Sequence, residues 1–355
     1  MSGPGIDCTG VGGPFGVVTY ARSAACIAYP ERMAKPVLTI LTGNRPVTGL
    51  ERLEELAQVR LAEDATELAE ALPGTEIVYL WNYFADGLRQ GWERADSLKW
   101  VHLPAAGVDK LLFPELAASE VTVTNARGIF DAAMAEYALA GILYFAKNFP
   151  QAGRNQRESR WKHFPTSNLG GSRALVAGTG SIGRSTARLL RAVGIEVDGM
   201  GRTARDGDAD FGAVFPSRDF EAVAGNYDYV VLAAPLTETT RGMLNMDVLT
   251  AMRPTAVVVN MGRGELVDQY ALQSALAAGT IRGAVLDVTD PEPLPGSDPL
   301  WGLDNVLITP HLSGDSRTHL PAMAEQFEAN LRAYIAGRPL VNVVDKQLGF
   351  VPAGS

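Results

Sequence analysis

The sequence predicts an α/β protein of two doubly wound domains, each a parallel sheet covered by helices. Three observations predict it. The chain has 355 residues, enough for about two domains at ~150 residues each. Short apolar runs alternate with helix-like stretches, the pattern of strands buried on both faces. That alternation stops at one long apolar helix and then restarts.

The elements follow in order. Residues 1–32 open Gly- and Pro-rich with no periodicity, so a loosely ordered extension is expected there. They lack the basic start and long apolar core of a secretory signal. Met33 then precedes the strand-like run VLTIL. The helix-like GLERLEELA comes next, then IVYLW with a helix-like segment, then WVHLP and VTVTN. Residues 134–149, MAEYALAGILYFAKNF, are apolar nearly all round, which predicts a buried helix. A second series begins at Arg173 with RALVAG and a helix, then IEVDGM, YDYVVLAAP, TAVVVNMG, GAVLDV and NVLITP. The two domains should join near residues 127–133. The last helix-like stretch, 318–336, has no strand after it and is expected to return to the first domain.

Composition narrows the function. The 31 Lys+Arg and 40 Asp+Glu give a formal charge of −9, without the basic balance of a nucleic-acid protein. The two cysteines, Cys8 and Cys26, exclude a disulfide framework and fit a reducing, cytoplasmic setting. No apolar run approaches the ~18 residues that span a bilayer. A small-molecule ligand, without nucleic acid or membrane, is the expectation.

One motif points to a nucleotide. Gly178-Thr-Gly180-Ser181-Ile182-Gly183 follows an apolar strand and opens a helix. The first glycine permits the turn, the second lets backbone approach a pyrophosphate, and the third lets helix pack on strand. The helix start adds free N–H groups and a partial positive charge. Asp198 has the spacing of a ribose-binding carboxylate, yet it lies inside its strand. The strand end reads Gly201-Arg202-Thr203-Ala204-Arg205. No carboxylate stands in it, and two arginines can hold a 2′-phosphate, so NADP is expected over NAD.

Ligands of open parallel sheets lie beyond the carboxyl ends of the strands. There the second series carries Pro235 and Thr237, then Arg263, Asp287, Glu292 and His311. Reducing a 2-keto acid needs a proton donor and a carboxylate anchor. His311 can give the proton, because imidazole titrates near neutral pH. Glu292 can hold the ring, and Arg263 can bind a carboxylate bidentately. Of the other histidines, His102 should be packed in its strand, His163 lies in a polar-aromatic loop, and His319 should be a solvated helix residue. None has metal-ligand spacing.

Together VAGTGSIG, AAPLTETTRG, NMGRGELVDQYAL, VLDVTDPEPL and ITPHLSG make the chain resemble the D-isomer-specific 2-hydroxyacid dehydrogenase family, in its glyoxylate/hydroxypyruvate reductase branch. The similarity runs from about Met33 to about Val344. It implies a Rossmann-type nucleotide domain (133–314) inserted in a flavodoxin-like substrate domain (33–132 with 315–355), usually in a homodimer. It implies Arg263, Glu292 and His311 as the catalytic set. Asp287 would help hold the nicotinamide carboxamide, Pro235 to Thr237 would line the adenosine side, and Ala106 and Gly107 would offer N–H groups to the substrate carboxylate. The aromatics in Trp81-Asn82-Tyr83-Phe84 have two readings: they wall the pocket for a bulkier acid, or they are ordinary core or interface residues. A nucleotide-sensing, corepressor-like protein on the same fold is the alternative. Formate dehydrogenases of the family carry glutamine at Glu292, which counts against a one-carbon donor.

Overall fold

The computed structural model describes residues 35–83 and 86–352. The expected extension at 1–32 and Phe84 of the aromatic segment lie outside the described residues. Among the described residues, thirteen strands form two sheets. The first holds β1 (Val37–Leu41), β2 (Gln58–Ala62), β3 (Ile77–Tyr79), β4 (Trp100–Leu103) and β5 (Thr122–Asn125). Its order is β2-β1-β3-β4-β5 and every pair is parallel. That is the flavodoxin-like order.

The second sheet holds β6 (Arg173–Ala177), β7 (Glu196–Gly201), β8 (Arg205–Asp206), β9 (Ala213–Pro216), β10 (Tyr229–Leu232), β11 (Val257–Asn260), β12 (Gly283–Leu286) and β13 (Val306–Ile308). Its order is β13-β12-β11-β10-β6-β7-β9-β8. The strand order reverses between the parallel neighbours β6 and β10, the switch point where nucleotides bind in such sheets. One edge departs from expectation: the two-residue β8 pairs antiparallel with β9. It is too short and too polar to carry a strand signal.

Burial explains the apolar runs. Every residue of β10, β11 and β12 is buried, and helices cover both faces. The long apolar helix is Asp131–Ala146, shorter at its end than the pattern predicts. Asn148 takes a left-handed φ of 52° and Pro150 follows within the first turn of a separate helix, Phe149–Arg157. The long helix lays Ala138, Ile142 and Phe145 onto the second sheet. The closing helix, His319–Ile335, returns to the first sheet, where Phe327 stacks on Tyr79 at 3.9 Å and on Trp100 at 5.2 Å between centroids. Such pairs contribute about 1 kcal/mol beyond their buried area. Trp81 belongs to this core: it is fully buried, with its indole N–H donating to Pro46 O. Of its two expected places, pocket wall or core, Trp81 takes the core. No helix among the described residues is long and apolar enough to cross a membrane.

Candidate active site

The glycine turn has the shape its spacing predicts. Gly178 follows β6 with φ +112°, and a Cβ on it would lie 2.5 Å from Ala233 O. A Cβ on Gly183 would lie 1.8 Å from Gly178 O, so the helix Ser181–Ala192 could not seat on its strand. A Cβ on Gly180 would meet nothing within 4 Å. Gly180 caps the helix without a side-chain hydrogen bond, so the first N–H groups at Ser181 and Ile182 have no side-chain cap. Open space over a bare helix start fits a pyrophosphate. Pro235 and Thr237 lie in the turn after β10, tied by Thr240, whose hydroxyl donates to Pro235 O and accepts from Thr237 N.

The adenosine side differs from expectation. No carboxylate stands in the Gly201–Arg205 segment itself, but the chain folds one back onto it. Asp208 accepts from Arg205 Nε at 2.9 Å and from Arg184 Nη1 and Nη2 at 2.7 and 2.8 Å. Asp210 accepts from Arg184 and Arg188. The Arg184 guanidinium holds the Asp208 carboxyl well below the usual carboxylate range. Arg205 is therefore engaged, not free, and the sequence signal was the acidic DGDAD run just after it. Arg202 stacks over the Phe350 ring at 5.0 Å, and Thr203 beside it is exposed. Asp198 acquires a structural role. It accepts from Arg173 Nη2 at 3.0 Å, the Tyr227 hydroxyl at 2.8 Å and Ala213 N at 2.8 Å, pinning β7 to its neighbours.

The reacting groups come together at the ends of β11, β12 and β13, which are adjacent in the sheet. His311 follows β13 with φ 53°, and its N–H donates to Asp287 O. Its Nδ1 lies 2.6 Å from Glu292 Oε1. Glu292 follows β12 through Asp287, which is 2% exposed. Both Asp287 oxygens are engaged by protein: they accept from Thr309 Oγ1 at 2.6 Å, Leu312 N at 2.9 Å and Ser313 N at 2.8 Å. Asp287 thus holds the loop that carries His311. The Tyr137 hydroxyl, on the long helix, extends this chain to Thr309 at 2.6 Å, and burial pushes it up to about 12. Tyr137 is a contributor that the sequence pattern hid inside an apolar helix.

Arg263 follows β11. Gly264 beside it packs so closely that a Cβ would lie 2.1 Å from Thr289 O. The guanidinium reaches the first sheet: Nε lies 3.1 and 3.2 Å from the two Asp109 oxygens, and Nη2 lies 2.9 Å from Oδ1. Nη1 donates to Gly262 O. A Cβ on Gly107 would lie 2.1 Å from Arg263 Nη2, so the Ala106–Gly107 loop and Arg263 are in contact. Asn125 Nδ2 fixes that loop through Ala106 O at 2.6 Å. Asp109 is a site residue that sequence reasoning missed, although it stands two residues past Gly107.

The remaining histidines sit apart. His102 is fully buried, its Nδ1 2.8 Å from Thr124 Oγ1, and burial pushes it down to about 3. His319 opens the closing helix with its side chain only 14% exposed, against a Phe130 ring, which corrects the expected solvated residue. His163 is exposed.

A glycine-turn nucleotide cradle facing a histidine–carboxylate pair defines a nicotinamide-dependent oxidoreductase. Comparison with known proteins makes this specific. Residues 139–313 match the family model for the D-isomer specific 2-hydroxyacid dehydrogenase NAD binding domain. A glyoxylate reductase of Korarchaeum cryptofilum is 32% identical over 326 residues, 87% of this chain and 96% of the relative. A D-isomer specific 2-hydroxyacid dehydrogenase of Xanthobacter autotrophicus Py2, solved with NADPH and MES, matches with TM-score 0.77 and 30% identity over 89% of this chain and 100% of that one. An NADPH-dependent glyoxylate/hydroxypyruvate reductase of Sinorhizobium meliloti, solved with NADP and malonate, matches with TM-score 0.75 and 27% identity over 91% and 100%. The chain belongs to the D-isomer-specific 2-hydroxyacid dehydrogenase family. It is an NAD(P)-dependent oxidoreductase.

Proposed function

We propose that the protein reduces glyoxylate, hydroxypyruvate or a larger 2-keto acid to the D-2-hydroxy acid, with His311 as the acid, Glu292 as its partner and Arg263 as the carboxylate anchor. The observation that carries this reading is the 2.6 Å contact of His311 Nδ1 with Glu292, beside the arginine at the next strand ends. With Nδ1 committed to Glu292, Nε2 is the nitrogen left to give a proton to the keto oxygen. Asp109 takes Nε and one Nη2 hydrogen of Arg263, and Gly262 O takes one Nη1 hydrogen, which leaves one hydrogen on each Nη for the substrate carboxylate, with the Ala106 and Gly107 N–H groups completing the cradle. The residues fit a dinucleotide: Gly178, Gly180 and Gly183 would admit the pyrophosphate, Ser181 and Ile182 would donate to it, and Pro235, Thr237 and Thr203 would line the adenosine side. When bound, the reduced nicotinamide supplies the hydride that C2 receives. Asp287, through its loop, keeps His311 in register.

NADPH is the proposed cofactor, held at the 2′-phosphate by Arg202 and, to the extent that Asp208 releases it, Arg205. We take residues 33–132 with 315–355 as the substrate domain and 133–314 as the nucleotide domain, a division supported by the closing helix packing on the first sheet. A homodimer is the assembly proposed. The test is the initial rate of NADPH and NADH oxidation with glyoxylate, hydroxypyruvate and phenylpyruvate. Turnover of any of them supports the reductase reading, and faster turnover with NADPH supports the arginine assignment. Cofactor binding without turnover would overturn the reading and favour a nucleotide sensor.

A further inference from the structure

A second cation stands at the rim of the first sheet and has no counter-ion. Arg45 lies in the turn after β1 and is partly buried. Its Nη1 is shut off from solvent and has no hydrogen-bond partner. No carboxylate among the described residues lies within 4.0 Å of it. Elsewhere Arg263 is met by Asp109, Arg184 by Asp208 and Arg173 by Asp198, although Arg173 Nε is likewise buried without a hydrogen-bond partner. A buried cation nitrogen without acceptor is costly, and such groups in native proteins have a partner that completes them.

The position of Arg45 indicates what that partner is. Its guanidinium lies over the Tyr83 ring, 5.0 Å from the centroid. Tyr83 follows β3 in the left-handed conformation, φ 70°, an uncommon state for a bulky residue. The two turns are locked together: Asn82 N donates to Leu41 O, and a Cβ on Gly43 would lie 2.5 Å from Asn82 Nδ2. β3 lies between β1 and β4, and the turn after β4 carries Ala106 and Gly107. Parallel neighbours lie about 4.8 Å apart, so the Arg45 and Gly107 turns are separated by about 10 Å, a gap that a short-chain acid and an arginine side chain span together. The other wall is the segment after His311. Gly314 packs on Phe130 and Met323 Sδ lies 3.9 Å from the Tyr83 hydroxyl; burial, with a smaller push from Asp315, raises that hydroxyl against its hydrogen bond with Arg45. Asp315 itself approaches His319 at 3.9 Å.

We propose that Arg45, backed by the Tyr83 ring, binds a second anionic group at the far end of the substrate, so that the preferred acids are 2-keto acids with a carboxylate or phosphate tail. This rests on the reading of Arg263 as the anchor for the first carboxylate. It also replaces the aromatic-wall reading: Trp81 packs in the core, and Tyr83 supports a cation instead of lining an apolar pocket. Ion pairs away from water, with charge-assisted hydrogen bonds, supply the selectivity.

The test is a set of rates with matched acids: 2-oxoglutarate against 2-oxopentanoate, and the 3-phosphate of hydroxypyruvate against hydroxypyruvate, with glyoxylate as the tail-free reference. The expected result is kcat/KM at least tenfold higher for one charged acid than for its neutral partner. Which pair shows the preference distinguishes carboxylate from phosphate. Arg45→Gln should bring that ratio to about one, and Arg45→Lys should retain part of it. An equal rate for charged and neutral partners, with glyoxylate reduced normally, would overturn this inference and leave the reductase reading intact. A preference that survives Arg45→Gln would overturn it too. No turnover of any acid, glyoxylate included, would overturn the reductase reading and this inference with it. Unchanged thermal unfolding and cofactor affinity in Arg45→Gln would show that the lost ratio is not lost folding.

Discussion

The two ends of the second sheet's binding rim handle charge in opposite ways. At β11 to β13, His311 is held by Glu292 and its loop by Asp287, both from the neighbouring strand end, while Arg263 is met by Asp109 from the first sheet. At β7 to β9, one of the two arginines expected to meet a phosphate, Arg205, is met by the chain's own Asp208, which also takes Arg184, while Arg202 stacks on Phe350. The first rim is wired to present groups to a ligand. The second is already neutralised in part, and a ligand there competes with an internal counter-ion. Charged residues that follow strands are therefore not equivalent: what they can bind depends on what the fold brings to them.

The largest expected effect tests the wired rim. His311→Ala should lower kcat by about a thousandfold, the usual scale for a lost general acid, while reduced-cofactor affinity, read by fluorescence titration, stays within about twofold. A rate within tenfold of wild type would remove His311 from the chemistry.

A histidine away from both rims is the control. His102 is neutral when folded, because burial pushes it down to about 3 from an ordinary 6.5. Its contribution is fully present above pH 6.5 and is lost as pH falls toward 3, since only the unfolded chain then takes up the proton. Between pH 6.5 and 5 the loss should be about 2 kcal/mol. Urea midpoints at pH 7 and pH 5 should show it, and His102→Asn should flatten the difference. An identical pH slope in the variant would place the sensitive group elsewhere.

A smaller effect concerns the arginine shared by the two sheets. Asp109→Ala frees the Nε side of Arg263, and KM for the keto acid should rise about tenfold with the cofactor KM little changed. In an Arg263→Ala background the same change should add almost nothing, because the two residues act as a unit. Additive effects would mean that Asp109 serves something other than Arg263.

The smallest effect addresses the neutralised rim. Asp208→Asn should release Arg205 and raise the NADPH-to-NADH preference about fivefold, a shift of about 1 kcal/mol. Arg202→Ala should lower it. If Asp208→Asn leaves the ratio unmoved, Arg205 has no part in cofactor choice and the comparison between the two rims narrows to Arg202.

Much of the fold was legible because both signals are local. Strands buried on both faces read as near-continuous apolar runs, and β10, β11 and β12 are such runs. The glycine turn was legible because each glycine answers a contact within a few residues or on the next strand. β8 was not, because two polar residues carry no periodicity. Trp81 stayed open in the sequence because a tryptophan after a strand has the same letter whether it faces a cleft or a core. Tyr137 was hidden by its apolar neighbours, and Asp109 by its ordinary place beside a lysine.

By itself, then, the sequence determined the two-sheet architecture and the nucleotide turn, and singled out His311, Glu292 and Arg263 as candidates, since periodicity, glycine geometry and strand-end position are properties of contiguous residues. Only the tertiary structure decided which charges are met and by what. Asp109 reaches Arg263 across 154 positions of chain, Asp198 turns inward to Arg173 and Tyr227, Asp208 takes Arg205, and Arg45 is left without a carboxylate. Coulomb energy depends on distance in space and on burial, and neither is written in the order of the residues.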